Sequence, residues 1–97
     1  MSKDVNIGSF TINCGYYNVF RDVLSIDPDG YTDKEEHGLA ALNGLMGWEA
    51  ISVLEDGFNK LNEYGREPMA GESEVILRMS LILCACVRRP YDRMNVY

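Results

Sequence analysis

The sequence is poor in the residues that most catalytic sites and disulfide scaffolds require. Its 97 residues contain a single histidine, His37, so a catalytic dyad or a histidine-based metal site would have to be built around that one ring. Cys14, Cys84 and Cys86 are an odd number without the spacing of a disulfide framework, which points to a reduced, cytoplasmic setting. The longest apolar run covers residues 81–87, far short of the roughly 20 residues a membrane-spanning helix needs. Met1-Ser2-Lys3-Asp4 is not followed by an uninterrupted apolar segment with a cleavage site, so no signal peptide is expected. There is no phosphate loop, dinucleotide fingerprint or nucleophile elbow, and no cofactor is expected. Basic residues are few as well: 9 Lys and Arg stand against 15 Asp and Glu, for a net charge of -6. An acidic body repels a phosphate backbone, which argues against direct nucleic-acid binding.

What is present fits one small globular domain spanning 1–97, with 46% hydrophobic and 10% aromatic residues and room for a single modest core. Most carboxylates lie between Asp22 and Glu74, opposed only by Lys34, Lys60 and Arg66. The C-terminal part instead carries Arg78, Arg88, Arg89 and Arg93 against Asp92. Near the start, Val5 and Ile7 alternate with polar neighbours, and Phe10, Ile12 and Cys14 alternate in the opposite phase after Gly8-Ser9. Such a phase change predicts two short strands, one bulged strand, or an extended arm over 1–15. Tyr16, Val19, Phe20, Val23 and Leu24 then share a helical face, and Asp27-Pro28-Asp29-Gly30 ends it in a turn.

Thr32-Asp33-Lys34-Glu35 has capping-box spacing, which predicts a helix from Asp33. Leu39, Leu42, Leu45, Met46, Ile51, Leu54, Phe58 and Leu61 carry helical spacing through to Tyr64. Gly44 and Gly47 interrupt it, marking a kink, a break into two helices, or a close approach by another helix. Gly65-Arg66-Glu67-Pro68-Met69-Ala70-Gly71 separates this arm from a second one. In the second arm Val75, Ile76, Met79, Ile82, Leu83, Cys86 and Val87 form a continuous stripe. Glu72 and Glu74 in its first turn and Arg88 and Arg89 in its last suit the helix dipole, and Pro90 stops it. The tail over 90–97 has no period and reads as a loose end, or as an arm that orders on a partner. The expected fold is therefore mainly α: a helical hairpin of about 33–64 and 72–89, a short helix near 16–24, and an extended or short β N-terminal arm.

Ser25 through Glu36 has much of a calcium-loop pattern, with Asp27, Asp29, Gly30, Asp33 and Glu36 at the third, fifth, sixth, ninth and twelfth positions. Ser25 replaces the leading carboxylate, however, and a Pro-Gly turn running into a capped helix explains the same residues without metal. Cys84 and Cys86 would splay apart on a helix, so the cysteines read as buried small hydrophobes rather than zinc ligands. The acidic cluster reads either as a solvated face or as an imitation of a nucleic-acid backbone that would inhibit a host enzyme. No pair of carboxylates in unlike environments is evident, so an enzyme is not expected. Pro68 reads as a rigid turn residue or, on an exposed loop tip, as an X-Pro handle for a partner.

As a short acidic chain with two amphipathic arms around the Gly65–Gly71 loop and Pro68, the sequence resembles the small anti-RecBCD proteins of lambdoid phages. The resemblance implies a non-enzymatic phage factor in the host cytoplasm that binds the RecBCD helicase-nuclease through its RecC subunit and alters its nuclease and recombination behaviour. It also implies that a host peptidyl-prolyl isomerase joins the complex, with Pro68 as the residue to carry that contact. Tyr64, Arg66, Glu67, Pro68 and Met69 are the expected partner-binding residues, and the aromatic side chains of Trp48 and Tyr91 are of the type enriched at interface centres.

Overall fold

The computed structural model describes residues 3–15, 17–26, 36–63 and 65–97. The alternation at the N-terminus makes two strands, β1 (Asp4–Ile7) and β2 (Phe10–Asn13), joined by a two-residue turn at Gly8 and Ser9. Gly8 supplies the positive φ of 57° that a tight hairpin turn of this hand needs. The Asn6 side-chain amide closes the turn from inside, donating to Phe10 O at 3.2 Å and Thr11 Oγ1 at 3.0 Å. Val5 pairs with Ile12 and Ile7 with Phe10, which puts all four apolar side chains on one face of the hairpin.

The C-terminal tail corrects the expectation of a loose end. Met94–Val96 forms β5, antiparallel to the other edge of β1, giving a sheet of order β2-β1-β5. Ile7 faces the fully buried Met94, and Val5 faces Val96, so the tail completes the apolar face of the sheet. A strand of three residues is too short to show a period, and only the pairing reveals it.

The helical arm expected over 33–64 is also corrected. After α1 (Asn18–Val23), whose Val19, Phe20 and Val23 point inward, the backbone pairs as β3 (Ser25–Ile26) with β4 (Glu36–His37). A 3-10 turn then spans Gly38–Leu42, and α2 begins only at Gly47, running Gly47–Leu61. Gly38 and Gly44 hold φ of 71° and 82°, left-handed values that an α-helix does not contain. Leu39 and Leu42 are buried as helical spacing predicted, but from the 3-10 turn. The capping box at Thr32 lies outside the described residues, as do Asp27, Asp29, Gly30 and Asp33 of the calcium-loop pattern.

The second arm forms as α3 (Glu72–Arg88) and packs antiparallel on α2. Gly47 of α2 abuts Cys86 and Arg89, while Gly57 abuts Met79 and Leu24, so two α2 glycines mark where backbone and neighbour come closest. Val75, Met79, Ile82 and Cys86 are buried, each worth roughly 1.5–3 kcal/mol in removed apolar surface for the larger side chains. The expected stripe is narrower than its sequence pattern, because Ile76 and Val87 are exposed. With its three-stranded sheet, the protein is helix-rich but mixed α/β rather than mainly α.

The free amides at the start of α2 are satisfied by the tail. Gly47 N donates to Asp92 O at 2.9 Å and Trp48 N to Pro90 O at 3.0 Å, while the Glu49 carboxylate accepts from Met46 N at 3.0 Å. A Cβ at Gly47 would overlap the carbonyl oxygen of Arg89, which is backbone and has little freedom to retreat. Gly47→Ala is therefore expected to destabilise the fold by about 2 kcal/mol despite the better helix propensity of alanine. A lowered urea midpoint would show it, and an unchanged one would mean that the tail can move away.

Candidate functional site

The loop between α2 and α3 is bracketed by Gly65 and Gly71, both at φ 81°. Gly71 has no room for a side chain, since a Cβ would lie 2.5 Å from Cδ1 of the Tyr17 ring. Within the loop, Arg66 turns inward. Its Nε and Nη2 donate to Leu61 O, the end of α2, at 3.3 and 3.2 Å, and its Nη1 donates to Glu67 O at 3.3 Å. The same guanidinium pairs with the Glu72 carboxylate at the start of α3. Glu72 in turn accepts from Met69 N at 3.0 Å, and Glu72 N donates to Met69 O at 3.2 Å. A single arginine thus ties the last turn of one helix, the loop backbone and the first turn of the next.

This bracing leaves Glu67, Pro68, Met69 and Ala70 exposed on a fixed base, with the Glu67–Pro68 bond trans. Of the expected contact residues, Glu67, Pro68 and Met69 are brought together at the tip, and Tyr64 lies outside the described residues. The donors of Arg66 are directed into the loop, so its place is that of a brace beneath the tip. The Glu72 carboxyl is held below its usual value of 4.5, chiefly by the hydrogen bond from the Met69 amide and then by Arg66.

The thiols divide in a way the sequence did not show. Cys14 and Cys86 are buried, and burial pushes both up to about 11, with Arg78 partly opposing this at Cys14. Cys84 is exposed, which corrects its reading as a buried small hydrophobe. Among the described residues no group of three His, Cys, Asp or Glu is placed to hold a metal ion. A shallow cleft of about 410 Å³ is lined by Arg21, Asp22, Ser25 and Lys60, with Lys60 Nζ donating to Ser25 Oγ at 3.2 Å. No described helix is long and apolar enough to cross a membrane.

A second surface emerges on α3. Ile76, Leu77, Leu81 and Val87 are all substantially exposed, and Trp48 and Tyr91 stand at its C-terminal end. The signal that marks this face in the sequence is the absence of charge between Arg78 and Arg88 on a helix that is apolar nearly all the way round. No family model, curated protein or solved structure matches this chain.

Because Glu72 is depressed in the folded loop, its stabilisation is fully present above the ordinary value of 4.5 and is lost as pH falls through its lower folded value. The Met69 amide resonance is expected to move in that acid window and to stay fixed in Glu72→Gln; an identical response in both would remove Glu72 from the brace. Separately, a thiol reagent is expected to modify Cys84 rapidly in the native protein, and Cys14 and Cys86 only on unfolding. Rapid native labelling of all three would contradict the burial of the other two.

Proposed function

We propose that this chain is a non-enzymatic interaction protein that presents the Glu67-Pro68-Met69 tip to a larger protein. Following the resemblance of its sequence, the target is the RecBCD helicase-nuclease, met at RecC, whose nuclease and recombination activity the bound chain inhibits or modifies. A host peptidyl-prolyl isomerase is the second partner, and Pro68 is its contact. The observation that carries this reading is the braced loop: Arg66 and Glu72 fix its base while a proline and a methionine remain exposed above it.

The physical argument concerns order. A tip already held in one conformation loses little further freedom on docking, so more of the contact energy appears as affinity. An exposed methionine beside a rigid proline offers an adaptable apolar contact next to a fixed one. The net charge of -6 favours a protein target over a DNA end.

The test is retention of purified RecBCD on the immobilised chain, followed by assay of DNA-end degradation. Pro68→Ala is expected to keep the native circular dichroism spectrum while weakening isomerase binding. Unchanged isomerase binding would remove the role given to Pro68, and failure of the folded chain to retain RecBCD would remove the target. A steep loss of RecBCD affinity with added salt would favour carboxylate mimicry of DNA over a contact through the tip.

A further inference from the structure

The junction between the 3-10 turn and α2 carries a reactivity that neither the tip nor the helices use. Asn43 is followed by Gly44, and every other asparagine of the sequence precedes a larger residue. In an Asn-Gly pair the glycine nitrogen can attack the carbonyl carbon of the asparagine side chain, because no glycine side chain hinders the approach. The new N–C bond closes a succinimide ring. The side-chain nitrogen takes the glycine amide proton and leaves as ammonia. Water then opens the ring at one carbonyl or the other, giving aspartate or an isoaspartate whose main chain runs through the former side chain. Water is the only other reactant.

β5 holds both reacting groups. Asp4 and Tyr97 exchange two backbone hydrogen bonds of 3.2 and 2.9 Å, so the neighbouring Val96 amide points away from β1. Asn43 Oδ1 accepts from that amide at 3.0 Å. Gly44 N, the attacking atom, donates to Met94 O at 2.8 Å, and Met94 N donates to Leu45 O at 2.7 Å. Ring closure requires the Asn43 side chain to leave Val96 and the Gly44 amide to leave Met94. Burial does not protect the pair, since Asn43 is exposed to water. Among the described residues, nothing lies within 4 Å of where a Cβ on Gly44 would sit. The restraint is the strand itself.

We propose that Asn43-Gly44 is a self-modifying site gated by the docking of β5, and that its isoaspartate product releases the tail irreversibly. A strand of three residues opens locally at far lower cost than the whole fold, and each opening frees the pair to react. Aspartate at position 43 still accepts from the Val96 amide, so that product docks again. Isoaspartate adds a methylene to the main chain before Gly44. This shifts Gly44 and Leu45 off Met94 and takes Gly44 O away from the Arg93 guanidinium. The same stretch of tail supplies the Asp92 carbonyl that accepts from Gly47 N, so its release also loosens the start of α2.

The experiment is incubation of the full reduced chain in neutral buffer at body temperature, read by peptide mapping and an isoaspartyl methyltransferase assay. Conversion at Asn43 is expected to be on the order of tenfold or more slower than in a synthetic peptide of residues 41–46. Val96→Pro removes the amide that holds Asn43 without removing a bond to β1, and is expected to raise the rate about fivefold. Val96→Ala keeps that amide and is expected to leave the rate near native, which separates the hydrogen bond from the packing lost in both variants. Native conversion as fast as in the peptide overturns the gate, as do equal rates in the two variants. If Val96→Pro unfolds the chain, urea decides instead: native conversion is expected to rise in step with exchange of the Gly44 amide, and independence of the two overturns the gate. In the purified isoaspartate form the Met94 amide is expected to lose its protection from exchange, while Asn43→Asp retains it. Native protection of Met94 in the isoaspartate form overturns the release.

Discussion

The start of α2 is the point on which the rest of the structure depends. Gly47 and Trp48 present amides with no partner inside their own helix, and the carbonyls of Asp92 and Pro90 accept from them. The contact is possible because Gly47 has no side chain, which lets the backbone around Arg89 come against the helix. That approach fixes the chain just after α3, and the three residues that follow the turn are thereby delivered to β1 as a strand. Met94 N donating to Leu45 O at 2.7 Å and Gly44 N donating to Met94 O at 2.8 Å continue the same seam. One junction thus joins the helical layer, the segment before α2 and the sheet.

The opposite end of the helix pair is held by different chemistry. There the two helix ends are separated by a loop, and a guanidinium with several donors bridges them where backbone contact at the other end does so. An internal pair of this kind, partly shielded and linked to backbone groups on both sides, constrains more than an exposed ion pair does. Its result is a tip whose residues differ in role from what their types suggest. Arg66 has the chemistry of an interface residue yet serves the loop, while Pro68 and Met69 are left outward.

Much of the local structure was legible in the sequence. The phase change at Gly8-Ser9, the helix over residues 18–23, the acidic start and basic end of α3, and the stop at Pro90 each follow from patterns a few residues long. The glycine-bracketed loop with Pro68 and Met69 exposed was equally readable, because left-handed glycines and a lone proline act locally. What required the tertiary structure were the decisions made by distant neighbours. Helical spacing at Leu39 and Leu42 suited a 3-10 turn as well as an α-helix, and packing against α1 chose between them. The tail became a strand because β1 offered an unpaired edge and Gly47 admitted the chain beside it. Which of the apolar side chains of α3 are buried, and which thiol is exposed, was likewise fixed only when α2 and the sheet covered one face and left the other bare.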